Sequence, residues 1–481
     1  MAGRFERKKF SDCSLEDRFF DSLKEDYPEF CDWFSKKADA GEEAFVFGED
    51  MGICAFVYLK ENENEEIKLV DRVLPKQNRI KIGTLKLEER QQGQRLGEGA
   101  IGIVLWKWQE SNVDEIYLTV YDYHKELIAL IEKFGFVCAG ELPKYGTPTI
   151  NHKELLYIKN KKSLDYSNPH KSFPYLSPDF TSAGVLPIYD YYHDRLLPYS
   201  ELKNTSQEFW DEAAGNGITK MFIGSPNQIG GLYEGSPIFM YRKCTEKGVP
   251  ATYKSCITSF ATITKIIVVK KQYRYLINEN EYKRLCGNKT IFSSEELKRI
   301  YMTSRPNLVV FEFVYNGFFG RGNNVIHKRL KENNLFETYP YGIRYSLDDF
   351  SKIIEMGGKN VQNIISINPE HVENIINKSK KYEYRKTKCK KAIDKIIIYS
   401  TLPVGKVIGE VEVIEVVEDS PEKIWDLTSI FSGISQEFFE EYYKHKDMAV
   451  AYKLGEVKKY KIPKTLKEFG VNCAPQSFVY I

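Results

Sequence analysis

The sequence predicts an α/β N-terminal domain followed by two mostly β barrel domains with peripheral helices. Three observations carry this. From Leu85 to Phe136 the chain reads strand, glycine-bearing turn, helix, strand, helix. After about residue 181 the apolar residues gather into short Tyr-, Phe- and β-branched runs, the spacing of a small antiparallel barrel. From Val361 a second such series begins, broken by helical stretches. At 481 residues the chain is long enough for roughly three domains, each with its own core.

In the first domain, residues 1–159, an amphipathic stretch from Leu15 to Phe34 predicts an early helix. The runs from Glu43 to Phe47 and Ile53 to Tyr58 predict paired strands, with the charged Glu61–Glu66 patch as a loop tip. Thr84–Leu87 predicts a strand, Gln94 to Gly99 a turn, Ala100–Gln109 a helix, and Glu115–Val120 the next strand. Leu155–Ile158 would close the sheet. Residues 160–180, rich in Lys, Ser, Asn and Pro, read as a linker laid over the surface.

The second domain, 181–356, offers strands at Gly217–Ile223, Pro237–Arg242, Cys256–Ile263 and Leu308–Phe313, and helices at Ser294–Tyr301 and Leu347–Ile354. In the third, 361–481, strands are predicted at Ile364–Ile367, Lys395–Ser400, Val407–Val413 and Ala449–Leu454. Helices are predicted up to Asn377 and over Pro421–Tyr443.

Composition narrows the function. No stretch approaches the ~20 apolar residues needed to span a bilayer, and the N-terminus lacks the apolar core of a secretion signal, so a cytoplasmic protein with no membrane partner is expected. The nine cysteines are scattered, without Cys-x-x-Cys pairs or histidines at zinc spacing, so no metal site is expected. Net charge is only +2. Nevertheless Lys378, Lys380, Lys381, Arg385, Lys386, Lys388, Lys390, Lys391 and Lys395 crowd one segment, which reads either as a solvated face or as a track for RNA phosphate.

A turn of bare amides opening a helix suits a pyrophosphate, because several N–H dipoles converge on one anion. With the partner strand Glu115–Val120 and the following Lys133-Phe134-Gly135-Phe136, this run resembles the GNAT acetyltransferase superfamily. The resemblance implies that acetyl-CoA, or a close acyl-CoA, is held by Gln92, Gly93, Gln94, Arg95, Leu96, Gly97 and Gly99, with its thioester carbonyl on the Leu87 amide. Glu88 or Glu89 would then serve as base, or serve only the helix dipole. Counting back from Gly135, the family's usual Asn falls on His124 and its thiolate-protonating Tyr falls on Ile131, which has no proton to give. Tyr121, Tyr123 or His124 would take that role, or the thiolate leaves unaided, or the site is a binding relic.

The third domain resembles the ASCH branch of the PUA-like barrels. The family pattern Gly-x-Lys-x-x-Glu-x-Arg falls on Lys378, Lys380, Glu383 and Arg385, with the glycine missing. The stretch Tyr233–Arg242 gives the second domain a fainter resemblance to the same PUA-like and EVE barrels, so two degenerate copies of one barrel are expected. Lys380 beside Glu383 reads either as a reactive pair or as an ordinary ion pair. Lys386, Lys388 and Lys390 would contact phosphate, and Tyr382, Tyr384 and Tyr399 are candidates to stack bases. Together these imply an N-acetyltransferase acting on an RNA-linked amine, either a nucleobase or the aminoacyl group of a tRNA. The alternatives are a protein or small-molecule N-acetyltransferase with regulatory barrels, and an RNA-binding regulator with a silent GNAT domain.

Overall fold

The computed structural model describes residues 4–49, 52–88, 93–111, 113–143, 152–200, 202, 213–224, 231–246, 251–336, 342–358, 363–388, 395–469, 471, 474–475 and 478–480. The chain divides into two units, Met1–Phe350 and Ser351–Ile481.

The first unit begins with β1 (Glu6–Lys9), α1 (Asp21–Asp26), α2 (Phe30–Asp39), β2 (Glu43–Glu49), β3 (Gly52–Glu63), β4 (Ile67–Lys68), β5 (Val73–Leu74) and β6 (Arg79–Leu87). It continues with α3 (Leu96–Gln109), β7 (Glu115–Tyr121), α4 (Lys125–Lys133), β8 (Val137–Glu141) and β9 (Glu154–Asn160). Seven strands form a sheet in the order β1-β2-β3-β6-β7-β9-β8. The predicted strands and the helix after the glycine turn all appear. The early helix does not run unbroken: Pro28 cannot donate to a preceding turn and separates α1 from α2. The Glu61–Glu66 patch is not wholly a loop, since β3 continues to Glu63, whose buried carboxylate pairs with Lys60.

The segment expected to be a linker is structured too. It carries α5 (Pro169–Ser172) and buries Phe173 completely. Beyond it come β10 (Ala183–Tyr189), α6 (Asp190–Leu196), α7 (Ala213–Asn216), β11 (Thr219–Gly224), β12 (Pro237–Lys243), α8 (Ala251–Lys254), β13 (Cys256–Lys271) and β14 (Arg274–Tyr275). The series ends with α9 (Glu279–Cys286), α10 (Ser294–Thr303), β15 (Leu308–Phe318), β16 (Val325–Ile326), α11 (His327–Glu332) and β17 (Arg344–Tyr345), and α12 (Leu347–Met356) runs across the division after Phe350. One hydrophobic core spans both halves of this unit. At its centre Trp106 of α3 meets Phe173, Tyr199, Tyr315 and Phe318 edge-on, and its indole N–H donates to the Asn316 carbonyl at 2.8 Å. Three buried lysines are made tolerable by main-chain carbonyls. Lys159 donates to Phe134 and Lys171, Lys220 to Ala214 and Gly215, and Lys270 to Tyr301 and Ser304.

The second unit holds β18 (Asn363–Ile367), α13 (Pro369–Ile376), β19 (Tyr382–Arg385), β20 (Lys395–Ser400), β21 (Lys406–Asp419), α14 (Pro421–Thr428), α15 (Gln436–Tyr443), β22 (Ala449–Lys464) and β23 (Phe478–Tyr480). Its sheet runs β19-β22-β21-β20-β18-β23, and the middle sheet runs β11-β15-β13-β12-β10-β17. These are one connectivity written twice. In each, the first strand pairs in parallel with the third (β10 with β12, β18 with β20), and the remaining neighbours along that path are antiparallel.

Neither sheet closes into the barrel expected from sequence. Among the described residues the end strands β11 and β17, or β19 and β23, are not paired. Curvature comes instead from bulges along the long pairs β13–β15 and β21–β22, each of which shifts register three times. At one such shift a Cβ on Gly409 would lie 2.4 Å from the Lys458 carbonyl, so only glycine lets the strands approach there.

Candidate active site

Strands β6 and β7 pair in parallel only at Arg79↔Glu115, Ile80↔Ile116 and Lys81↔Tyr117. Beyond Lys81 each follows its other neighbour, β6 along β3 to Leu87 and β7 along β9 to Tyr121. The strands therefore part like a wedge. Its closed end is pinned by the buried Arg79 guanidinium, which donates to Glu115 at 2.8 Å and to the Glu65 and Pro75 carbonyls. Its open end is a cleft of about 1550 Å³, lined by residues of both strands, the start of α3, and α4.

Leu87 sits at the lip. Glu88 N–H donates to the Cys54 carbonyl at 2.8 Å. Ladder hydrogen bonds alternate along an antiparallel strand, so the Leu87 amide faces the other way, into the gap between β6 and β7. Glu88, Tyr121, Tyr123 and His124 all line the cleft. Tyr121 and Tyr123 stack nearly parallel with ring centroids 5.7 Å apart, and His124 lies 4.1 Å from Tyr123. Ile131 is fully buried in the core, and the α4 residues that line the cleft are Lys125, Glu126, Leu127 and Leu130.

The glycine turn leads into α3 through Arg95, which takes the left-handed conformation with φ 58°. Leu96, Gly97 and Glu98 occupy the first turn, where backbone N–H groups have no partner within the helix. The Gly99 amide is already bonded to the Arg95 carbonyl. Gly99 serves packing instead: a Cβ there would lie 2.7 Å from the Asn216 carbonyl. A Cβ on Gly97 would fall 3.1 Å from Leu130 and 3.2 Å from Leu87, in the cleft itself. Gln92 lies outside the described residues.

Arg95 does not offer an unengaged charge. Its guanidinium is buried against Gly217 and pairs with Glu98. Glu98 also accepts from Lys133 at 2.6 Å, from the amides of Ile218 and Thr219 at 3.0 and 3.1 Å, and from the Thr219 hydroxyl at 3.0 Å. Burial alone would raise this carboxyl; Arg95 and Lys133 and the hydrogen bonds reverse that and hold it at about 2. Two asparagines fasten the turn from outside, Asn216 on the Gln94 carbonyl at 3.0 Å and Asn288 on the Gly93 carbonyl at 2.7 Å. The residues that immobilise the turn thus lie some 120 to 200 positions away, beyond the reach of local pattern reading.

In the second unit, alternate residues of β19 put Glu383 and Arg385 on one face. Arg385 donates to Glu383 at 2.8 Å and to the Ser366 carbonyl at 2.8 Å. Lys380 is buried, with its ammonium 3.7 Å from Glu383, 3.1 Å from the Ser432 carbonyl and 4.7 Å from the Tyr384 ring centre. Burial lowers its pKa against the opposing pull of Glu383. Lys378, where the family pattern has glycine, adopts φ 65°, the conformation a glycine would supply. His371, on α13, joins this cluster and was not marked by any sequence pattern. Burial, then Lys380, lower its pKa, and its Nδ1 is buried without a hydrogen-bond partner. Lys386 lies over the Tyr442 ring at 4.7 Å and Lys388 pairs with Glu418 at 3.1 Å; Lys390 is outside the described residues. Tyr384 and Tyr399 are buried in hydrophobic clusters and cannot stack bases. Tyr382 packs against the same cluster as Tyr384.

No protein-family model matches the chain. Among curated proteins it is 32% identical over 120 residues to ATP synthase subunit alpha of Ureaplasma parvum, covering 24% of this chain and 15% of that one. It is 33% identical over 98 residues to large ribosomal subunit protein uL22 of the same organism, covering 20% and 31%. The chain spans less than a third of the length of these relatives. Among solved structures, an ASCH protein from Zymomonas mobilis is 24% identical over 25% of this chain and 87% of its own, with a TM-score of 0.24. NAA60 from Arabidopsis thaliana, solved with a bisubstrate analogue, is 16% identical over 32% and 97%, with a TM-score of 0.25. No helix among the described residues is long and apolar enough to cross a membrane.

Proposed function

We propose that this chain is an acetyl-CoA-dependent N-acetyltransferase whose acceptor is an amine carried on RNA, a nucleobase or the aminoacyl group of a tRNA. The observation that carries the transferase reading is the wedge between β6 and β7, with the Leu87 amide facing its gap and the first-turn amides of α3, which have no partner within the helix, beside it. Those amides suit the pyrophosphate of a CoA. The gap suits its extended arm, and the Leu87 N–H suits the oxygen on which charge develops during transfer. Tyr121, Tyr123 and His124 stand at the mouth, where the departing thiolate needs a proton, and Glu88 lines the same cleft as a base for an alkylammonium acceptor. The domain reading we propose is a GNAT domain over 1–159, a PUA/EVE-like domain over 181–356 and an ASCH domain over 361–481. The last would bind RNA through Lys380, Glu383, Arg385 and the lysines that follow.

A second reading, an RNA-binding regulator with a silent acyl site, is favoured by one observation: the position of the family's proton donor is Ile131, buried and without a hydroxyl. Labelled acetyl-CoA incubated with the protein, total cellular RNA and lysate protein separates the two. Label in RNA supports the proposal; label in protein moves the acceptor to that class; cofactor binding without transfer selects the silent reading.

A further inference from the structure

The two sheets of one connectivity each place a histidine in the helix after their first strand, His193 on α6 and His371 on α13. They differ in how their polar neighbours are satisfied. His193 is bonded at both nitrogens, to Asp194 at 2.8 Å and to the Thr258 hydroxyl at 2.7 Å, and Asp194 takes two 2.8 Å bonds from Arg242. That cluster is closed. Around His371 it is not: His371 Nδ1 and Arg385 Nε are both buried without a hydrogen-bond partner, although the Arg385 side chain is only 9% exposed. Leaving such groups unpaired is costly, and a bound ligand with matching polar atoms would recover that cost.

Beside these groups α15 presents an aromatic face. Phe438 and Tyr442, one helical turn apart, lie parallel within 8° at 6.4 Å, and Phe438 meets the His371 ring edge-on at 5.6 Å. Phe438 is 48% exposed. Lys386 covers the Tyr442 ring, and burial raises the pKa of the Tyr442 hydroxyl, with Arg385 pulling it down and Glu383 up. An exposed Phe438 with the half-buried Tyr442 beside it, which packs against the Tyr384 cluster, flanked by an exposed lysine and backed by unpaired buried polar nitrogens, matches a planar ring that carries polar edge atoms and is attached to an anionic backbone.

We propose that Phe438 and Tyr442 form a platform on which one unpaired base of RNA stacks, its edge meeting Arg385 Nε and His371 Nδ1 and its phosphate meeting Lys386. The site deepens the RNA-binding reading of the second unit and rests on it. An apolar peptide would use the aromatic face but not the two buried nitrogens.

The test uses the full chain and a fluorescent single-stranded RNA of about ten nucleotides, titrated at several salt concentrations. Phe438→Ala and Tyr442→Ala should each weaken binding about 5- to 150-fold, the range for losing one base–aromatic stack. The slope of log affinity against log salt should not change, because the same phosphates are still neutralised. Phe438→Trp keeps a flat face and should bind within a few-fold of wild type, and its recovery separates stacking from misfolding. If the wild type binds RNA and both alanine variants bind equally well, the platform is wrong and the RNA reading survives. If Phe438→Trp fails as badly as Phe438→Ala, stacking is also refuted. A wild type with no RNA affinity overturns both readings.

Discussion

Glu98→Gln should destabilise the unit Met1–Phe350 by about 3 kcal/mol at neutral pH. The native carboxyl is held at about 2 rather than the ordinary 4.5. At about 1.4 kcal/mol for each tenfold in acidity, that displacement corresponds to about 3 kcal/mol. An independent route agrees: removing one member of a buried ion pair costs roughly 3–5 kcal/mol, because the partner is left buried and unpaired. Here the stranded partner is Arg95, only 9% exposed; Lys133, 44% exposed, can rehydrate. The folded-state pKa lies below the unfolded one, so the contribution is complete above about pH 4.5 and is lost as pH falls toward 2. Urea denaturation of wild type and variant, followed by far-UV circular dichroism, should show the full difference at pH 7 and a smaller one at pH 3.5. Acyl-CoA affinity should fall in parallel, since Glu98 ties the first turn of α3 to Ile218 and Thr219. A difference below about 1 kcal/mol at pH 7, or one that does not narrow in acid, would refute the reasoning.

Gly97→Val places a side chain against Leu130 and Leu87 inside the cleft and should weaken acyl-CoA binding about tenfold or more by calorimetry; equal affinity would remove the turn from the site. Tyr121→Phe and Tyr123→Phe, assayed separately once an acceptor is known, should show one variant with turnover down by roughly 10²–10⁴ and cofactor affinity nearly intact. Full turnover in both would pass the proton to His124 or to no residue. Neutralising Lys386, Lys388 and Lys390 together should lower the salt slope of RNA binding by about 0.7–0.9 for each phosphate that is no longer neutralised. Lys388 should contribute least because Glu418 already engages it, and an unchanged slope would return the run to a solvated face. Lys378→Gly removes a left-handed lysine at φ 65° and should raise the melting temperature, by about 0.5–1 kcal/mol of stability after the glycine's own entropy cost; a lower melting temperature would contradict it.

Short-range chemistry made the candidate site's frame legible. The apolar runs marked β6 and β7, the glycines marked the turn, and the helical stretch Ala100–Gln109 marked α3, because each depends on neighbours within a few residues. The same holds for Lys380, Glu383 and Arg385, which lie within six positions of one another. What the turn is fastened to was not legible. Glu98 and Arg95 look like exposed first-turn charges until the segment Asn216–Thr219 covers them, and that covering is a pairing across more than a hundred residues. Tertiary structure likewise decided that the two later sheets stay open, since closure depends on whether edge strands meet, and that residues 160–180 enter the core through Phe173. It also chose among the aromatic residues. Tyr384, Tyr399 and Phe438 are alike in sequence as aromatic residues, and only the packing of α15 leaves Phe438 exposed beside the unpaired polar nitrogens while the other two are sealed in apolar clusters, where a ring gains more from burial than from any ligand.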